Sequence, residues 1–171
     1  MEIAMDKTDE KQDKAIQMME RLLSDYKTAS LASVSPQGHP QASYAPVALS
    51  EKRDFYIFIS ELSEHTGNLR EQAQASLMFI EDECESKQLF ARNRLTVQAD
   101  TKFLERESEE WDVAAGVYRN RFGSFFDQLS QLRDFHMVRL RPNSARVVIG
   151  FGGAFDILLP DWSRVELVTN K

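Results

Sequence analysis

The chain has 171 residues, of which 42% are hydrophobic and 28% charged. That is enough to bury roughly 70% of the unfolded surface without disulfides or a structural metal. Its net charge of −6 and the lack of a Lys/Arg cluster argue against nucleic-acid binding, and no apolar run approaches the ~18 residues of a membrane span. The start, M-E-I-A-M-D-K-T-D-E-K-Q-D-K, is charged throughout and has no signal-peptide pattern, so a cytoplasmic protein is expected. A single domain over 1–171 is expected, with 1–14 as a disordered lead-in and 158–171 as a variable C-terminal segment. The one cysteine, Cys84, lies among acids that disfavour a thiolate, which marks it as a plain loop residue.

Ala15, Met19, Leu22 and Tyr26 recur at helical spacing and place one apolar face on a first helix. From Thr28 the pattern changes to a strand, Ser35-Pro36-Gln37-Gly38 turns, and His39-Pro40 opens the return strand of a hairpin. Phe55 to Ile59 is aromatic and β-branched, the composition of a strand covered on both faces. A short helix over 66–74 follows, with Ser63 as N-cap, and Ala75 to Ile80 is a strand. Leu95, Val97 and Ala99 alternate inward along another strand. Glu105 to Leu132 is helical by pattern, broken at Gly123-Ser124. Its second half carries Phe125, Phe126, Leu129 and Leu132, more apolar surface than a short helix buries alone, which hints at a partner subunit. Asp134 to Leu140 is a strand, Arg141-Pro142-Asn143-Ser144 is expected to turn, and Ala145 to Phe151 is the last strong strand. Short antiparallel strands with helices between them imply an α+β fold, mainly β: a small antiparallel barrel with flanking helices.

The stretch from Ser60 to Phe79 sets His65, Thr66, Asn68 and Arg70 where such a barrel opens to solvent. His39, His65 and His136 show no zinc-binding spacing, and no G-x-S-x-G is present. Gly150-Phe151-Gly152-Gly153 reads as a turn, because no helix opens after it to receive a phosphate. His65 either reaches a ligand or pairs with Glu64 or Glu61. Asp134 and His136, two apart on one strand face, place a carboxylate where it tunes a histidine or a bound water, or else form a polar strand start. Arg92 and Arg94 form an anion-binding fork or pair with Glu81, Asp82, Glu83 or Glu85 on the preceding loop. Tyr44 either stacks on a planar ring or fills core.

The motifs S-L-A-S-V-S-P-Q-G-H-P-Q-A-S-Y-A-P, S-E-H-T-G-N-L, F-A-R-N-R-L-T-V-Q-A-D, R-D-F-H-M-V-R-L and G-F-G-G-A-F, spread over residues 20 to 157, carry a resemblance. Together they resemble the heme-utilisation (HutZ/HugZ-like) branch of the pyridoxamine-phosphate-oxidase-like, FMN-binding split β-barrel family. The resemblance implies a homodimer of split β-barrels with ligand sites at the subunit interface. It implies cofactor-binding roles for Tyr44, Ser60, His65, Thr66, Asn68, Arg92 and Arg94. In flavin-binding members the segment matching Ser63-Glu64-His65 reads Ser-Arg-Lys and holds the FMN phosphate; here an acid and a histidine replace those cations. Heme is therefore the leading cofactor and FMN the alternative. For heme, the resemblance assigns the propionates to Arg92 and Arg94 and gives Asp134 a catalytic part in orienting an iron-bound water or dioxygen. Relatives take the iron ligand from a C-terminal histidine; no histidine follows His136 here, which leaves His65 and His136 as candidates for the iron. The activity implied is that of an oxidoreductase, heme-degrading or flavin-dependent.

Overall fold

Strand β3 (Phe55–Ser60) is buried at five consecutive positions, as its composition predicts. Phe55, Ile57 and Ile59 point one way; Tyr56 and Phe58 point the other, into a cluster with Tyr118, Phe126 and Met137. The computed structural model describes residues 7–169. In chain order the other elements are α1 (Lys7–Asp25), β1 (Thr28–Val34), β2 (Pro40–Leu49), α2 (Glu64–Gln72) and β4 (Gln74–Ile80). They continue with β5 (Arg94–Phe103), α3 (Glu109–Phe122), α4 (Ser124–Leu129), β6 (Phe135–Val148), β7 (Ala154–Ile157) and β8 (Val165–Leu167).

The strands hydrogen-bond in the order β3-β2-β1-β4-β5-β6-β7-β8, and β3 also pairs with β6. That second pairing closes an antiparallel barrel and removes its free edges. Helices flank the barrel, the α+β arrangement expected. No helix among the described residues is long and apolar enough to cross a membrane.

Two units are distinguished among the described residues, the first comprising residues 7–26, Met78–Val97 and residues 144–169, the second Lys27–Leu77 and Gln98–Asn143. In the first, α1 buries Ala15, Met19 and Leu22, and Gln12 Nε2 donates to Val165 O at 3.2 Å. The helix begins at Lys7, so its first two turns occupy residues expected as a disordered lead-in; Lys14 and Glu10, four apart, pair there at 2.6 Å. Residues 1–6 lie outside the described residues. Strand β8 gives regular structure to the C-terminal segment, pairing with β7 through Ile157 and Val165.

In the second unit β1 and β2 form the expected hairpin, with Leu31 opposite Ser43. Its turn places Gly38 at φ 84°, a conformation glycine adopts without strain.

The turn expected at 141–144 is absent, because β6 runs unbroken from Phe135 to Val148. Phe135 to Leu140 pair with β3, while Arg146 to Val148 pair with β7. Pro142 falls between these two ladders, where its missing N–H withholds a bond from neither strand. The real turn comes later: Ile149 N–H donates to Gly153 O at 2.7 Å, with Gly150 and Gly152 at φ 69° and 68°. A Cβ on Gly153 would lie 2.5 Å from Ile149 O, so only glycine closes this turn.

Candidate functional site

An open cavity of about 540 Å³ lies in the second unit, bounded by β2, the end of β3, the start of α2 and helices α3 and α4. Phe58, Tyr118, Phe122, Phe126, Leu129 and Phe135 make it apolar and aromatic. Phe58 meets Phe126 edge-on at 5.1 Å and Phe135 at 5.3 Å between centroids, geometries that add to area burial. Tyr118 O–H donates to Pro46 O at 3.0 Å, and burial pushes its phenol far above the usual range, so it is a neutral wall and not an acid.

The polar side of the cavity comes from Gln41, Ser43, Ser60, Ser63, Glu64 and His65. Helix α2 starts after Ser63, whose side chain makes no capping bond, and ends at Ala73 in the left-handed conformation. Its buried residues, His65, Thr66, Asn68 and Leu69, are therefore held by tertiary contacts. Thr66 Oγ1 donates to Ser60 O at 2.6 Å, and Asn68 Nδ2 donates to Ser33 Oγ at 3.0 Å and Gln41 Oε1 at 2.7 Å. Thr66 and Asn68 thus anchor the helix.

His65 is only 8% exposed. Its Nδ1 lies 3.0 Å from Ser43 Oγ, and its Nε2, also buried, has no hydrogen-bond partner among the described residues. Burial lowers its pKa below the ordinary 6.5, which keeps the ring neutral at physiological pH. The pairing with Glu64 or Glu61 allowed by the sequence is replaced by Ser43. Glu61 instead binds Arg70 at 3.0 Å and His136 at 2.8 Å, and these two lower its carboxyl pKa.

Asp134 and His136 have separate partners, which is the arrangement of a polar strand start and not of a carboxylate paired with a histidine. Ser60 Oγ donates to Asp134 Oδ2 at 2.8 Å, and Glu61 N–H donates to Asp134 O at 2.8 Å. His136 Nε2 is 2.9 Å from Arg70 as well as 2.8 Å from Glu61, so its outer nitrogen is engaged where that of His65 is not.

Arg92 and Arg94 belong to the first unit. Arg92 Nε donates to Glu81 O at 3.0 Å, its NH2 reaches the same carbonyl, and its NH1 lies 3.4 Å from Glu83. Arg94 NH1 donates to Arg92 O at 3.2 Å. The loop-pairing alternative is therefore realised for Arg92. Tyr44 is 69% exposed on the cavity rim, so it does not fill core.

A second cavity of about 660 Å³ in the same unit is lined by Tyr56, Val113, Arg139 and Arg141 among others. Arg139 pairs with Glu110 at 2.9 Å and Arg141 with Asp54 at 3.5 Å, so these two cations already have counter-ions. The aromatic cavity is lined by His65, whose Nε2 is a buried imidazole nitrogen without a hydrogen-bond partner among the described residues. Ser43, Gln41 and the aromatic walls were not singled out from the sequence; Ser43 becomes visible only through the β1–β2 register, which faces a hydroxyl toward the start of α2.

The pyridoxamine 5'-phosphate oxidase family model matches residues 16–149. The heme oxygenase HutZ of Vibrio cholerae serotype O1 is 44% identical over 131 residues, 77% of this chain and 74% of HutZ. The crystal structure of HutZ from Vibrio cholerae, described as a heme storage protein, superposes with a TM-score of 0.73 at 41% identity, covering 77% of this chain and 93% of that one. Campylobacter jejuni ChuZ gives a TM-score of 0.79 at 29% identity, covering 91% of this chain and 63% of ChuZ. A barrel closed by β3 and β6, an aromatic cavity at the head of α2 and these matches agree: the chain belongs to the pyridoxamine 5'-phosphate oxidase family of split β-barrels, in its heme-utilisation branch.

Proposed function

We propose that this protein binds heme in the aromatic cavity of its second unit, as a homodimer, and supports oxygen-dependent opening of the macrocycle. The observation that carries the reading is His65 Nε2, a buried neutral imidazole nitrogen with no hydrogen-bond partner among the described residues, at the edge of an aromatic cavity. Heme asks for a large apolar slot and a nitrogen for iron, and the residues present fit both demands. The likeness to HutZ supports the same ligand.

In this reading His65 holds the iron, Phe58, Phe126 and Phe135 cover the macrocycle and exclude water, and Tyr44 on the rim stacks on its edge. Asp134, fixed by Ser60 beside the cavity, supplies the acid–base group. When bound, heme supplies redox-active iron and is itself the substrate of ring opening. The propionate role that the resemblance gives Arg92 and Arg94 is not extended to this cavity, since both residues belong to the first unit. The exposed rim side chains Tyr44 and Phe125, at 69% and 63% exposure, support a second copy covering the open side. FMN fits less well, since its phosphate would meet the Glu64 carboxylate and a neutral histidine.

Hemin titration of the purified protein, followed by its Soret band, tests the proposal. A stoichiometric Soret shift is expected, weakened at least about tenfold in His65→Ala, roughly 1.4 kcal/mol of binding. No shift, or an FMN-induced rise in Tm with no response to hemin, overturns it. Decay of the Soret band with ascorbate and oxygen separates degradation from storage, and sedimentation equilibrium reads the dimer.

A further inference from the structure

His65 lines the cavity, and one hydroxyl sets the state of its ring. Ser43 Oγ donates to Leu31 O at 3.1 Å, and a serine hydroxyl has a single hydrogen to give. Its contact with His65 Nδ1 at 3.0 Å is then one in which Ser43 accepts. In that arrangement the imidazole proton lies on Nδ1 and Nε2 carries the lone pair.

We infer that Ser43 is a positioning residue that holds His65 in its Nδ1–H tautomer, so that the cavity selects ligands presenting a metal ion or a hydrogen-bond donor to Nε2 and rejects anionic phosphate. The selection follows from sign. A phosphate oxygen meeting the Nε2 lone pair sets acceptor against acceptor, and Glu64, which also lines the cavity, adds like-charge repulsion. A metal ion meets a base oriented by a hydrogen bond on its other nitrogen, the arrangement that fixes tautomer and raises basicity at metal sites. The Leu31–Ser43–His65 relay is thus a specificity device, in which a backbone carbonyl on β1 sets the chemistry of a ring on α2. As applied to heme, the inference rests on the function proposed above; the tautomer itself does not.

Long-range 15N–1H NMR of the imidazole rings in the ligand-free protein, with His65 assigned by comparison with His65→Gln, tests it. The wild type is expected to show a protonated-type Nδ1 and a pyridine-type Nε2 for His65. Ser43→Ala is expected to move the proton to Nε2, and Ser43→Thr, which keeps the hydroxyl, to restore the wild-type pattern. Inorganic phosphate is expected to leave the His65 signals unchanged. Hemin affinity is expected to fall roughly 10–100-fold in Ser43→Ala and to recover in Ser43→Thr. A protonated Nε2 in the wild type, a Ser43→Ala spectrum identical to wild type, or His65 shifts saturating with inorganic phosphate each overturns the inference. Absence of any hemin Soret shift alongside an Nδ1–H tautomer overturns only the heme assignment. The wild-type tautomer is read without Ser43→Ala, so a misfolded Ser43→Ala leaves the test intact.

Discussion

Ser60 and Asp134, 74 positions apart, are joined by a hydrogen bond of 2.8 Å from Oγ to Oδ2. Leu62 N–H donates to the same hydroxyl at 3.2 Å, so one serine ties the end of β3, the turn after it and the start of β6. A hydrogen bond to a charged group contributes about 1.5–3 kcal/mol at most, and less where water reaches it. Ser60→Ala is expected to lower unfolding free energy by about 1–2 kcal/mol in urea titration. An unchanged midpoint would show that water replaces the hydroxyl without loss.

The Asn68 side chain is the hub of a buried polar group. Its Nδ2 serves Ser33, itself only 2% exposed, and Gln41 on the cavity rim. Truncation leaves these acceptors unsatisfied, at about 1–3 kcal/mol. Asn68→Ala is therefore expected to lower Tm by several degrees in a thermal melt monitored by circular dichroism, more than an exposed change such as Gln74→Ala.

The aromatic cluster invites a larger effect. Phe126, 1% exposed, packs against Phe58 at 5.1 Å and Tyr118 at 5.2 Å. Phe126→Ala is expected to cost about 3–5 kcal/mol, with loss of near-ultraviolet dichroism from the loosened rings. Phe126→Leu keeps most of the volume and is expected to cost clearly less.

A pH effect follows from His65. Its folded pKa is depressed by burial below the ordinary 6.5, so the unfolded chain takes up a proton first as pH falls. The stability it contributes is fully present above pH 6.5 and is lost as pH falls through that value toward the folded pKa. His65→Gln is expected to flatten this limb in urea midpoints measured between pH 7.5 and about pH 5. An identical slope in wild type and variant would assign the limb to other groups.

How much of this was legible in the sequence differs from element to element. Strand β3 was readable because burial on both faces writes a continuous apolar run, and the β1–β2 hairpin because Pro36 and Gly38 punctuate it. The break at Gly123-Ser124 was likewise visible, and it separates α3 from α4. Strand β6 was misread at Pro142, since proline marks a turn unless the strand changes partners there, and partner exchange leaves no local trace. Within the site, His65 was found by position, but its partner was not. Ser43 lies 22 residues away, and only the pairing of β1 with β2 faces it toward α2. For Arg92 the sequence left an anionic ligand and the preceding acidic loop as equal alternatives, and the fold of that loop, which brings the Glu81 carbonyl and Glu83 to the guanidinium, chooses the second.

The Leu31–Ser43 register carries a consequence for heritable change in this protein. Strand side chains alternate with period two, so one residue inserted into the Ser35–Gly38 turn would slide β2 and bring Ala42 or Tyr44 to the place of Ser43. Alanine has no hydroxyl, and tyrosine carries its own a ring's length farther from the strand, so neither reproduces the Ser43 contact. A length change in a solvent-exposed hairpin tip would thus rewrite which end of an imidazole is basic, with every residue of the cavity still encoded.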